Sequence, residues 1–283
     1  MKLATRCPQM AIFLISMLSI GLATGSSVFA QSTAPQGSSP RGANVTSPAD
    51  APLTEPLTPE NSILSDFGYG VVLRVPRVLF SPDVLPRDLR VPLRARALSM
   101  NFMFPDMTLT NQVAGQNLVW EKLRNEYPFR PDRFPVLLFN LGYLPPDGKT
   151  VSDAPQLDPT PREIEAEVGC CSTGPDGRSR RVKMVQIPST YPGLLTEMSA
   201  DALKEHPDYA HRPEIWGRYV ALPDATFDLS MSCNHPGGGR CVAYVLSKKR
   251  HFQYRLIFPP EAVAHTDEVI QRVNAMIDQW LVK

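Results

Sequence analysis

The final stretch of the chain has its apolar residues spaced for a helix. Val269, Ile270, Val273, Met276, Ile277, Trp280 and Leu281 recur at steps of one, four, seven, eight, eleven and twelve, which places them on one face of an α-helix. Thr266 is the expected N-cap, and Asp267 and Glu268 follow where they favour the positive end of the helix dipole. Burying such a face contributes on the order of 10 to 15 kcal/mol gross, so this helix is expected to pack on a sheet.

Upstream the pattern is that of strands. Gly70 to Val75 is rich in β-branched residues and stops at Pro76, and Arg94 to Phe104 alternates up to Pro105 and Asp106. Leu118, Val119, Leu123 and Tyr127 predict a short helix with Trp120 on its flank, and Phe134 to Leu144 reads as a central strand because it is almost wholly apolar. Arg181 to Ile187, Ile215 to Leu222, Phe227 to Cys233, Cys241 to Leu246 and Phe252 to Phe258 follow at hairpin spacing and predict an antiparallel meander. Between these groups, Pro145 to Pro161 carries five prolines. It is either a long surface loop or a link between two lobes, 63–144 and 162–283.

The N-terminus follows different rules. Lys2 and Arg6 precede an apolar run from Ala11 to Ala23, which at 1.5 Å per residue covers only ~20 Å of a roughly 30 Å hydrocarbon core. With Val28, Phe29 and Ala30 offering small residues at a peptidase site, residues 1–30 read as a cleavable signal peptide and Gln31 as the mature start. Cys7 lies before the apolar run, so no lipid anchor is expected. Residues 31–62 are dense in Ser, Thr, Ala and Pro and bury too little surface to offset their ordering entropy. They are expected to form a disordered tether leading into a folded region, 63–283.

Composition narrows the partners. Of 29 basic and 28 acidic residues, two basic ones leave with the signal, and the near-neutral remainder argues against nucleic acid or anionic lipid, both held by clustered positive charge. The 29 prolines are about twice the usual share of roughly 5% and favour strands and turns over long helices. Four cysteines remain after the signal: Cys170, Cys171, Cys233 and Cys241. Cys233 and Cys241 end and begin adjacent strands, so a disulfide closing that hairpin is the preferred pairing, as suits an oxidising compartment. Cys170 and Cys171 are neighbours that either form a strained pair, stay free or pair elsewhere.

The same cysteines with His235 contain the ligand types of a tetrahedral zinc site, but no C-x-x-C spacing accompanies them. His206 and His211 flank Asp208 as another metal candidate, although Pro207 breaks the helix that would align the two rings. The chain has no G-x-S-x-G elbow, H-E-x-x-H or phosphate-cradling loop, no residue set calls for a cofactor, and no catalytic residue is assigned. The segment from Cys233 to Cys241, with Asn234, His235 and Arg240 beside three glycines, is the candidate binding loop.

Three further pieces carry a resemblance: the Leu73, Arg74, Val75, Pro76, Arg77 strand end, the Phe104, Pro105, Asp106, Met107 strand end, and the Cys233 to Cys241 hairpin followed by the amphipathic helix. Together they resemble a group of exported proteobacterial proteins, some of them periplasmic immunity or accessory proteins of interbacterial toxin systems, type VI secretion included. The resemblance implies a protein partner such as a toxin and transfers no catalytic residue. The expectation is therefore an α+β protein, an antiparallel sheet with the C-terminal amphipathic helix packed on it. It would act in the periplasm as a soluble protein-binding module without a stable membrane anchor. An envelope hydrolase with a dispersed catalytic site and a structural envelope component are the alternatives.

Overall fold

The computed structural model describes residues 56–80, 85–94, 97–110, 120–147, 157–168, 172–173, 179–180, 182–211, 217–234 and 239–282. The signal-peptide reading, nearly all of the tether, Cys170, Cys171 and His235 lie outside them. The elements in chain order are β1 (Ser62–Asp66), β2 (Val72–Pro76), β3 (Leu93–Arg94), β4 (Leu98–Phe104), β5 (Thr108–Leu109), α1 (Trp120–Glu126), β6 (Phe134–Tyr143), α2 (Pro161–Val168), β7 (Ser172–Thr173), β8 (Ser179–Arg180), β9 (Met184–Pro188), β10 (Leu194–Ser199), α3 (Ala200–Glu205), β11 (Arg218–Ala221), β12 (Phe227–Cys233), β13 (Cys241–Ser247), β14 (Phe252–Phe258) and α4 (Thr266–Trp280).

Nine strands form one antiparallel sheet in the order β5-β4-β6-β14-β13-β12-β11-β10-β9. From β9 to β14 it is an antiparallel meander, as the hairpin spacing implies for β11 to β14, with β10 an additional strand that the sequence reading did not include, and β6 is interior, between β4 and β14. The class is α+β, as expected. A three-stranded sheet, β2-β1-β3, and the short β7-β8 pair complete the strands among the described residues.

Side-chain alternation decides what each face meets. Along β13, Cys241, Ala243, Val245 and Ser247 are buried while Val242, Tyr244 and Leu246 are only partly so. Of these, Cys241, Ala243 and Val245 join Phe227, Leu229, Met231, Tyr254 and Leu256 in one core with Leu73 and Val75 of β2 and the apolar face of α4. Val269, Ile270, Val273, Met276, Ile277 and Trp280 are each at most 1% exposed, so the helical spacing located this contact correctly. The opposite face carries a smaller cluster in which Trp120 and Leu123 of α1 pack on Leu137 and Ile257. No helix among the described residues is long and apolar enough to cross a membrane.

Three local expectations need correction. Thr266 is not the N-cap: it already has helical backbone angles, because the 3-10 turn Pro260–His265 runs straight into the helix. Its buried hydroxyl instead donates to the Val263 carbonyl at 2.7 Å. Leu281 has left the helix and is 40% exposed. It forms a bridge with Leu73 in place of a helical contact. The Arg94 to Phe104 stretch is two strands in two sheets, with β3 parallel to β1 and β4 on β6. Met100, Asn101, Phe102, Met103 and Phe104 are all buried, which the alternation did not convey, because β4 is covered on both faces.

Candidate functional site

The disulfide-closed end of the β12–β13 hairpin is built from the backbone outward. Cys233 and Cys241 face each other in register. The neighbouring Asn234 N–H donates to the Arg240 carbonyl at 3.1 Å, so the cysteines occupy a non-hydrogen-bonded pair, where opposed side chains lie closest. Their sulfurs are bonded, with Cα atoms 4.0 Å apart, and neither thiol is available to the zinc set. On its other edge the Cys233 N–H donates to the Gly217 carbonyl at 2.7 Å, and Gly217 has φ of +65°. A Cβ there would stand 2.5 Å from the Cys233 carbonyl oxygen, so only glycine permits this approach.

Of the candidate loop residues, Asn234 and Arg240 are exposed at the hairpin end. The Arg240 guanidinium lies 3.7 Å from the Glu121 carboxylate of α1, so a surface ion pair links loop and helix. Beside them runs a groove of about 380 Å³ lined by Arg124, Pro128, Phe129, Gly239, Pro259 and Glu261. The sequence reading named this hairpin end as its candidate and did not include the groove, whose walls come from α1, the turn after it and the turn before α4, more than a hundred residues apart. Phe129 is anchored there by its ring contact with buried Phe134 at 5.8 Å.

A second recess, about 340 Å³, lies where α2 crosses the open face of the sheet, with Arg162, Glu165, Gln186, Asp228 and Lys248 in its walls. Burial raises the Glu165 carboxyl above its ordinary value, and the Glu197 and Asp228 carboxylates push it the same way. Both neighbours are paired, Glu197 with Arg218 at 3.0 Å and Asp228 with Lys248 at 3.2 Å. Nothing in the sequence pattern pointed to this grouping, since α2 approaches β12 across some sixty residues of chain.

The two histidine candidates among the described residues, His206 and His211, make other contacts. His206 stacks on Tyr209 at 4.8 Å, and His211 ends the 3-10 turn Pro207–His211. Among the described residues no group of three His, Cys, Asp or Glu side chains is placed to hold a metal.

Neither family models nor curated proteins give a match to this chain. A solved structure that is similar is that of Smlt3025, an immunity protein of the Stenotrophomonas maltophilia type IV secretion system. It is 12% identical, with 79% of this chain and 94% of that chain covered and a TM-score of 0.43. A likeness of that depth carries no argument about this chain. The system it names is type IV, whereas the sequence resemblance named type VI.

Proposed function

We propose that the protein is an exported, periplasmic binding module, an immunity protein that neutralises a toxin by docking it at the disulfide-closed hairpin and its adjoining groove. One observation carries the reading: the hairpin end, tied by a covalent bond between Cys233 and Cys241, lies beside a recess lined by Phe129 together with Arg124 and Glu261. A segment held this way loses less conformational entropy on association than a free loop. Apolar contact in the groove, flanked by Arg124, Glu261 and the Arg240–Glu121 pair, is the arrangement in which binding energy concentrates in a few central residues. The sequence resemblance to exported immunity and accessory proteins supplies the class of partner.

The test is co-purification with the toxin encoded beside its gene, comparing wild type with Arg240→Ala and Phe129→Ala. We expect a stable complex, protection of toxin-expressing cells, and weakening by at least about tenfold for Phe129→Ala, with a smaller loss for the rim residue Arg240. Peptidoglycan, ester or amide hydrolysis abolished by replacing a single Ser or His would overturn the binding reading in favour of an envelope hydrolase. N-terminal sequencing of protein from a periplasmic extract is expected to begin at Gln31.

A further inference from the structure

We propose that β9, the last strand of the nine-stranded sheet, is an interface at which a second copy of this chain adds its own β9 antiparallel across a two-fold axis, joining the two sheets into one. The proposal is independent of the hairpin end and of what binds there.

The first observation is how the edges of the described strands are finished. An open strand edge is a row of unpaired N–H and C=O groups, and folded proteins blunt it by shortening the strand, charging it or covering it. At the other end of the sheet β5 has two residues, and so have β3, β7 and β8. β2 is covered at its start, where Leu281 bridges Leu73 and the Val282 N–H donates to the Val72 carbonyl. β9 has none of these devices. It is five residues long, Met184–Pro188, and no residue in it is charged. Met184, Val185 and Ile187 all remain partly exposed, because the strand has a neighbour on one side only.

The second observation is which backbone groups point outward. The Ala200 N–H donates to the Lys183 carbonyl at 2.8 Å and the Ser189 N–H to the Leu194 carbonyl at 3.4 Å, and both bonds continue the register of β9 on β10. Hydrogen bonding alternates along an antiparallel strand, so Lys183, Val185, Ile187 and Ser189 bond inward to β10. Met184, Gln186 and Pro188 therefore turn their backbone groups outward. Pro188 agrees with this, since a sheet accepts a proline where its missing N–H faces away from the neighbouring strand. Among the described residues nothing bonds to these outward groups.

The side chains select a copy of the same strand as the occupant. With Gln186 opposite Gln186 of the second copy, Met184 stands opposite Pro188. Each Gln186 N–H then reaches the other Gln186 carbonyl and each Met184 N–H reaches a Pro188 carbonyl, so every outward donor is used. The acceptor left unmatched is the Met184 carbonyl at the end of the ladder, where water reaches it. Val185 falls opposite Ile187 in a non-hydrogen-bonded pair, the closer kind, and β-branched pairs there stabilise a sheet. Lys183 falls opposite Ser189, so no like charges meet. Sliding the copies either way leaves one β-branched pair in place of two and sets the other residues against Lys183 or Ser189. A self-complementary strand closes as a dimer and leaves no long edge for further chains. Gln186 also stands in the wall of the recess beside α2, so the second copy contributes a carboxamide to the margin of that recess.

The experiment follows the full mature chain by analytical ultracentrifugation over a concentration series. Wild type is expected to sediment as a concentration-dependent dimer. Gln186→Pro removes the two central hydrogen bonds of the dimer and none from the monomer. It should raise the dimer dissociation constant at least about tenfold, while the melting temperature of dilute protein stays that of wild type. Gln186→Lys sets two ammonium groups opposite each other and should weaken the dimer too, with recovery in high salt. Gln186→Cys places two thiols at the axis, where opposed Cα atoms of a hydrogen-bonded pair are about 5.5 Å apart, within disulfide reach. Oxidation should give a covalent dimer, and peptide mass spectrometry should find the two introduced thiols joined to each other and not to Cys170 or Cys171. Met184→Cys alone should not link to itself, whereas mixed with Pro188→Cys it should link to that variant. A wild type that is monomeric at every concentration, a dimer that Gln186→Pro and Gln186→Lys both leave intact, or absence of the Gln186→Cys linkage would each overturn the proposal. Unfolding of Gln186→Pro would refute the outward placement on which it rests.

Discussion

Replacing Gly217 by alanine tests whether the hairpin base is as tightly determined as its geometry says. The new residue keeps φ of +65°, which costs an L-residue roughly 1–2 kcal/mol. Its Cβ would lie 2.5 Å from the Cys233 carbonyl oxygen. That oxygen belongs to β12, which is hydrogen-bonded on both sides and closed by the disulfide, so the strand cannot yield freely. Relief requires lengthening the 2.7 Å hydrogen bond from Cys233 to the Gly217 carbonyl, worth about 0.5–1.5 kcal/mol. The sum is about 2–3 kcal/mol, or a fall in Tm of about 4–12 °C for a domain of this size. Gly193 is the internal control: it has φ of +77° but its added Cβ would meet only the Asp267 Cβ at 3.9 Å. Gly193→Ala should therefore show the backbone cost alone, about 1–2 kcal/mol. Urea unfolding of the two variants beside wild type gives both values. Equal losses would refute the close approach of Gly217 to Cys233, and a loss under about 0.5 kcal/mol for Gly217→Ala would refute the strain argument as well.

Three further outcomes follow from the same structure. Converting Cys233 and Cys241 together to serine should lower stability by about 2.5 kcal/mol, the loop-closure value for a crosslink this short, measured by urea unfolding against the oxidised wild type. Glu165→Gln should raise Tm at neutral pH, because the folded state raises the carboxyl's pKa and thereby favours its protonated form. That stabilisation is fully present below the unfolded value near 4.5 and is lost as pH rises through the folded value, so a Tm series should show the variant's advantage vanishing below about pH 4. Glu197→Gln should cost about 2–4 kcal/mol, since it leaves the Arg218 guanidinium without its buried carboxylate partner, and Tm at pH 7 reads it.

Much of this fold could be read along the chain, and the reason differs by element. The meander was legible because β12, β13 and β14 are each seven residues long with turn residues between them, so local pattern and long-range pairing agree. The helix α4 was legible from its spacing, although its start was not: the sequence cannot show that a 3-10 turn feeds it and makes a cap at Thr266 unnecessary. The split of the stretch ending at Phe104 was hidden because β3 and β4 differ in partner, not in composition. At the candidate site, the spacing of Cys233 and Cys241 announced the hairpin, whereas the groove and the Glu165 recess exist only through elements distant in sequence.

The position of β6 also sets the order in which the sheet is completed. β6 pairs with β4, about thirty residues earlier, and with β14, more than a hundred residues later. A chain made from its N-terminus presents the ten residues from Phe134 to Tyr143, most of them apolar, with one edge closed and the other open until nearly the whole sequence has emerged. An open apolar strand edge is a template for pairing with other chains. The interval before β14 arrives is thus the time at which this protein is most exposed to aggregation. Its yield should respond more to chaperones that hold unfolded chains than to the stability of the finished sheet.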